Sequence, residues 1–232
     1  MTHIIINGKP VDAPEGRTIL EICREEQIDI PTLCYHPALE PYGACRLCMV
    51  EIEQAPRPAR LAAACVTRCE EGMCILTHSP EVLKSRRMTA ELLLAEDDSN
   101  PQLLKIAAEL GVGAPRYQTP DQDSCILCGL CVRACKEIVG VSAISTIYRG
   151  FEKRISPPFQ IESEICIGCG TCVLVCPTDA IKLEDISAFV RLRPQKMEAF
   201  ALQTNGANGK DLVHKALRAR QMRTNGHHGD AL

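Results

Sequence analysis

Residues 2–7 are rich in β-branched side chains, Thr2-His3-Ile4-Ile5-Ile6, and end on Asn7-Gly8, a dipeptide that favours a tight hairpin. Pro10-Val11-Asp12-Ala13 supplies the return strand. The apolar period then lengthens to that of a helix. Ile19, Ile22 and Cys23 fall at helical spacing, Thr18 stands as N-cap with Glu21 three residues on, and Ile28-Asp29-Ile30-Pro31 stops the element. A Cys-rich loop follows, then a strand at Met49-Val50-Glu51-Ile52-Glu53, a Pro/Arg/Ala insertion at 54–63 and a last strand near Cys74-Ile75-Leu76-Thr77. Over 80–112 the period is helical again, with Met88, Leu92 and Ala95 on one face and Leu103, Leu104, Ala107 and Leu110 on another. Asp97-Asp98-Ser99-Asn100-Pro101 divides this stretch into two connecting helices.

Strand, hairpin, strand and helix in that order open a β-grasp. The expected fold class is α+β: a β-grasp domain over 1–79, a helical connector over 80–120, a second Cys-rich domain over 121–186 and a C-terminal tail over 187–232. Within the tail, Asn205-Gly206-Ala207-Asn208-Gly209 reads as a flexible break and Asp211 to Met222 as a short basic helix, with the last ten residues disordered.

Composition changes the picture in one respect. The 232 residues are 46% apolar and 24% charged, ordinary values, but aromatics are only 3%, Trp is absent and Cys reaches 15. A core with so few large rings needs another organiser, and the cysteines are available. No apolar run approaches the roughly 20 residues that cross a bilayer, and the N-terminus lacks the basic, apolar and small-residue order of a signal peptide. A cytoplasmic, reducing setting is expected, where thiols serve metal ligation in preference to disulfides; the odd count also excludes complete internal pairing. From residue 187 on, eight Lys and Arg stand against three acids, a charge of +5 out of a total of −3, which leaves −8 for residues 1–186. The body is acidic and the tail basic.

The cysteines are patterned. Cys125-x2-Cys128-x2-Cys131-x3-Cys135 recurs as Cys166-x2-Cys169-x2-Cys172-x3-Cys176, followed by Pro177. This is the spacing of bacterial two-cluster ferredoxins, in which the fourth Cys of each run serves the other cluster. Three thiolates two residues apart wrap one face of a cubane, whereas the fourth begins a helix that points away. The expected ligands of one [4Fe–4S] cluster are Cys125, Cys128, Cys131 and Cys176, and of a second Cys166, Cys169, Cys172 and Cys135. Gly129, Gly168 and Gly170 let the backbone approach inorganic sulfide closely. A zinc ribbon is the plainer reading of a single C-x2-C pair, but zinc needs only four ligands in separated pairs.

The N-terminal set is looser: Cys34-x10-Cys45-x2-Cys48-x16-Cys65. It departs from plant-type C-x4-C-x2-C…C yet keeps clustered loop ligands and one distant Cys. On a β-grasp opening it suggests a [2Fe–2S] cluster; a zinc site or a Cys45/Cys48 redox pair are the alternatives, the latter without the βαβ context it wants. Cys23, Cys69 and Cys74 are left over and read as small buried apolar residues. His36 beside Cys34 is a tuning residue at most. Arg46, Arg133 and Lys136 next to ligands are either surface charge or positive groups that raise a cluster's potential.

Thr18-Ile19-Leu20-Glu21-Ile22-Cys23, Ile30-Pro31-Thr32-Leu33-Cys34-Tyr35-His36, Gly43-Ala44-Cys45-Arg46-Leu47-Cys48-Met49-Val50-Glu51 and Ala64-Cys65-Val66-Thr67 carry a family resemblance. They resemble the N-terminal iron–sulfur segment of the large peripheral subunit of NADH:quinone oxidoreductase, and equally the diaphorase small subunit of NAD-reducing hydrogenases and subunits of NAD-linked formate dehydrogenases. Asp123-Ser124-Cys125-Ile126-Leu127-Cys128 and Tyr148-Arg149-Gly150 extend the resemblance, which covers about residues 3–185. That family also carries a His-plus-three-Cys [4Fe–4S] site between these regions. Residues 79–124 here contain neither Cys nor His, so that site is expected to be missing, which weighs against a hydrogenase parent.

The resemblance implies a non-catalytic redox subunit of an oxidoreductase complex. No G-x-G-x-x-G after a strand, Walker A or H-E-x-x-H motif is present. Clusters move single electrons and nicotinamides exchange hydride, so a chain holding only clusters needs a flavin partner to split the pair. The expected function is relay between a flavin/NAD(H)-binding iron–sulfur subunit and a terminal catalytic subunit of hydrogenase, formate dehydrogenase or aromatic-thioester reductase type. The alternatives are a free-standing polyferredoxin and, further off, a zinc-organised scaffold. An acidic body with few aromatics speaks against nucleic-acid binding, and the short apolar runs against membrane insertion. The basic tail is either a docking arm for an acidic subunit or a solvated extension.

Overall fold

A computed structural model describes residues 1–117, 124–160, 163 and 165–182; the tail expected over 187–232, with its break and basic helix, lies outside them. The chain divides into two compact units, Met1–Gly129 and Leu130–Leu232.

The first unit is built on a five-stranded sheet in the order β2-β1-β5-β3-β4. β1 (Thr2–Ile6) and β2 (Lys9–Ala13) form the antiparallel hairpin expected from Asn7-Gly8. Asn7 and Gly8 take φ of 51° and 82°, the left-handed pair that a two-residue hairpin turn requires. Asn7 also exchanges side-chain hydrogen bonds with Thr77, donating from Nδ2 to Oγ1 (2.8 Å) and accepting the Thr77 N–H at Oδ1 (2.9 Å). The turn is thereby fixed to the end of β5 (Cys74–Leu76), which runs parallel to β1. Ile4, Ile6, Val11, Ala13, Val50, Ile52 and Ile75 alternate onto one buried face and pack with Ile19, Leu20, Ile22 and Cys23 of α1 (Ile19–Glu25).

Helix α1 begins with the capping box read from the sequence. The Thr18 hydroxyl accepts from the Glu21 N–H, and the Glu21 carboxylate accepts from the Thr18 N–H at 2.8 Å. β3 (Met49–Gln54) lies where expected. The segment 54–63 differs from expectation: Arg57–Ala63 is a full strand, β4, paired antiparallel with β3. Its first five residues are exposed, so this edge strand shows no inward alternation to read.

The two connecting helices are present as α2 (Pro80–Glu96) and α3 (Pro101–Glu109), capped by the side chains of Ser79 and Asn100. The face expected on α3 is buried at Leu103, Ala107 and Leu110, and that expected on α2 only at Ala95. Met88 and Leu92 are exposed, and α2 buries Val82, Arg86, Ala90 and Leu94; α3 buries Leu103, Ile106 and Ala107 but exposes Leu104. The α2 stripe passes through an arginine, which a search for apolar periodicity skips.

The second unit has α4 (Leu130–Arg133) running into a π-helical turn at Ala134–Val139, then the hairpin β6 (Ser145–Ile147) and β7 (Arg154–Ser156), and α5 (Thr171–Leu174). Gly140 ends the π turn at φ 79°.

Candidate metal centres

All fifteen cysteines are free thiols, and those of the first set are buried together. Two elements place them. The first-turn N–H groups of α1 donate outward, Ile19 to the Thr67 carbonyl (2.9 Å) and Leu20 to the Ala64 carbonyl (3.0 Å), and this holds the turn bearing Cys65 against the helix. The Ala64 N–H donates to the Cys48 carbonyl (3.0 Å), which fixes that turn to the start of β3. The loop before Cys45 turns at Gly43, φ 70°, where a Cβ would come within 3.3 Å of Val66 beside Cys65. Glycine lets the two ligand-bearing loops close on each other.

The four sulfurs form one connected set. Cys48 Sγ lies 3.4 Å from Cys65 Sγ, and Cys34 Sγ accepts the Cys45 N–H at 3.3 Å as well as the Cys45 thiol; Cys34 is also hydrogen-bonded by Cys65. Hydrogen bonds from the Cys45 and Cys65 thiols, then from the Cys45 and Ala44 amides, hold the Cys34 thiol far below the ordinary thiol range. Cys48 is lowered to about 7 by its bond from Cys65. Cys45 and Cys65 are pushed up by donating to these thiolates and by burial. Within the quartet Cys34 and Cys48 are thus shifted toward the thiolate and Cys45 and Cys65 away from it. Cys34, Cys45, Cys48 and Cys65 would all serve as thiolates toward a bound iron–sulfur core, since a coordinating thiol is deprotonated outright. The donor set fits a thiolate-bound iron–sulfur centre. No three Cys, His, Asp or Glu side chains among the described residues surround a single-ion position.

The leftover thiols behave otherwise. Burial pushes Cys23 up to about 12 and Cys69 up to about 11, while Cys74 is half-buried. His36 uses Nδ1 to accept the Ala38 N–H (3.2 Å), a local turn contact.

Of the repeated motif, Cys125 and Cys128 belong to the first unit and Cys131, Cys135, Cys166, Cys169, Cys172 and Cys176 to the second. Gly129, Gly168 and Gly170 all have positive φ, 72°, 62° and 72°. Within the second unit the structure gathers Cys135 with the later run: burial raises the Cys172 thiol, and the charges of Cys169, Cys166 and Cys135 raise it further. Cys135 lies on the π turn, a helix defect that recurs at functional sites, and its sulfur accepts the Ala143 N–H at 3.2 Å. Two buried hydroxyls also face thiols, Thr171 Oγ1 at 3.3 Å from Cys169 Sγ and Thr178 Oγ1 at 3.7 Å from Cys176 Sγ. Sequence reading missed these hydroxyls; a Thr two residues after a ligand Cys is the signal that could have found them.

Fold and thiol sets together define the class: an iron–sulfur protein that joins a [2Fe–2S] ferredoxin-like module to a [4Fe–4S] module. Comparison with known proteins agrees. Residues 1–80 match the 2Fe-2S iron-sulfur cluster binding domain and residues 116–180 the 4Fe-4S dicluster domain, and the chain carries both. It is 32% identical to the NADP-reducing hydrogenase subunit HndD of Solidesulfovibrio fructosivorans, an alignment covering 78% of this chain and 36% of that protein. It is 30% identical to the NADH-ubiquinone oxidoreductase 75 kDa subunit of Reclinomonas americana, covering 78% of this chain and 29% of that one. Among solved structures it is similar to a chain of the NAD+-reducing [NiFe]-hydrogenase in the H2-reduced state, with TM-score 0.59 and 26% identity over 67% of this chain and 74% of that. The chain therefore spans about a third of the length of the curated relatives named here.

Proposed function

We propose that this chain is an electron-transfer subunit of an NAD(P)H-linked oxidoreductase complex, relaying single electrons between a flavin-bearing NAD(H) subunit and a terminal catalytic subunit. Cys34, Cys45, Cys48 and Cys65 hold one [2Fe–2S] cluster; Cys125, Cys128, Cys131 and Cys176 hold one [4Fe–4S] cluster, and Cys166, Cys169, Cys172 and Cys135 a second. The observation that carries this reading is the buried quartet of the first unit, four free thiols linked sulfur to sulfur by hydrogen-bond contacts. Bound clusters supply reversible one-electron transfer. The chain's own residues provide the ligands, exclude water from the first site and aim main-chain N–H groups at sulfur.

The lack of Cys and His over 79–124 weighs against a hydrogenase parent, yet relatives on both the hydrogenase and the ubiquinone-reductase side align with the chain. The broader class of complex is the one proposed. No helix among the described residues is long and apolar enough to cross a membrane, and fifteen free thiols suit a reducing cytoplasm.

Anaerobically purified protein should contain about ten Fe per chain, the sum of one two-iron and two four-iron clusters. It should also give EPR signals of both cluster types on reduction. Stoichiometric zinc in a colourless preparation would refute the reading. Reduction by NADH or NADPH should need the co-purifying flavin subunit; reduction of the isolated chain would remove that partner from the scheme.

A further inference from the structure

Among the described residues Arg86 is the largest of the fully buried side chains, only 1% exposed. It reaches from the buried face of α2 to the start of β3, where Nε and Nη2 donate to the Met49 carbonyl at 3.1 and 2.7 Å. Met49 follows Cys48. Among the described residues no carboxylate lies in ion-pair contact with this guanidinium. The groups that act on its charge are Cys48, Asp29 and Cys23. Asp29 is exposed, and Cys23 is a buried thiol that stays protonated. Desolvation accordingly lowers the guanidinium's affinity for its proton. A buried cation without a paired anion is expensive, and such groups persist where a counter-charge is supplied. The residue directly before Met49 is Cys48, so the guanidinium is held beside a proposed ligand of the [2Fe–2S] site, whose bound form would supply that charge.

We propose that Arg86 is the internal counter-charge of the [2Fe–2S] site, raising its reduction potential while fixing the Met49 carbonyl beside ligand Cys48. This rests on reading Cys34, Cys45, Cys48 and Cys65 as the ligands of that site. A reduced centre carries one more negative charge than an oxidised one, so a buried cation favours the reduced form, and a low local dielectric strengthens the effect. Arg86 is a positioning and potential-setting residue, and a purely structural role would leave the potential unmoved.

The test is an EPR-monitored redox titration of the full-length, cluster-loaded protein as wild type, Arg86→Gln and Arg86→Lys. The Gln variant keeps a donor for the Met49 carbonyl and removes the charge; the Lys variant keeps both. R86Q should shift the [2Fe–2S] equilibrium at least tenfold toward the oxidised form, ~59 mV for a one-electron couple. The [4Fe–4S] signals should not move, and R86K should recover most of the shift. An R86Q midpoint equal to wild type, or R86K shifted as far as R86Q, overturns the proposal. Failure of R86Q alone to hold the cluster supports it. Equal failure of both variants, or of R86K alone, overturns it because charge is then not what the site requires. A wild-type protein without the [2Fe–2S] signal would overturn the ligand reading first, an outcome distinguishable before any variant is made.

Discussion

Thr18 and Glu21 close the start of α1 reciprocally, each side chain accepting the other's N–H, and the pair was legible because a capping box is a local pattern. Thr18→Ala should destabilise the first unit by about 1 kcal/mol, read as a lower denaturation midpoint. A larger loss would mean that the cap also holds the Cys65 turn, through the Ile19 and Leu20 amides that donate to Thr67 and Ala64. Cys23 and Cys69 make the opposite point. Their positions were legible as leftovers from the ligand pattern, and burial that raises them to about 12 and about 11 keeps them as thiols. Alkylation of folded, loaded protein at neutral pH should leave both unmodified; labelling of Cys23 at the rate of an exposed thiol would contradict this. Arg86 was not legible, since a charged residue at one helix position announces nothing about burial, and only packing of α2 against β3 makes it internal.

At the scale of elements, the strands with one wet and one dry face were readable from alternation, as with exposed Ile5 between buried Ile4 and Ile6. β4 was not, because an edge strand lying in solvent is specified by its ladder to β3 more than by its own side chains. On α2 the apolar residues Met88 and Leu92 misled the choice of face, and the buried stripe included both Arg86 and, at its edge, Glu91. Glu91 clasps the segment after α3. Its carboxylate accepts from Arg116 at Nε (2.6 Å), at Nη2 (2.7 Å) and at the backbone N–H (3.0 Å). These bonds hold Glu91 at about 2, below the ordinary carboxylate value. A lowered folded value means that the clasp contributes fully above the unfolded carboxylate range near 4.3 and is lost as pH falls through about 2. Protection of the Arg116 amide from hydrogen exchange should therefore be unchanged between pH 7 and pH 5, once intrinsic rates are corrected, and should be lost in Glu91→Ala.

For the whole molecule, the eight cysteines of the repeated runs stand out in the sequence by short, fixed spacing and the first four by a looser pattern, whereas what surrounds them does not. The Ala143 amide reaches Cys135 and the Thr171 hydroxyl reaches Cys169 only after the chain has folded. Division into two compact units also has a consequence for loading. The quartet Cys34, Cys45, Cys48 and Cys65 lies wholly within the first unit, and Cys135, Cys166, Cys169 and Cys172 wholly within the second, so each set can be emptied separately. Cys45→Ser should abolish the [2Fe–2S] EPR signal and lower iron by about two per chain, with both [4Fe–4S] signals kept. Cys135→Ser should do the reverse, lowering iron by about four or leaving a three-iron signal, with the [2Fe–2S] spectrum unchanged. Loss of every signal in either variant would show that the units load as one cooperative body. The proposed relay would then depend on a shared folding event, and no single cluster could be removed while the others were left to report on it.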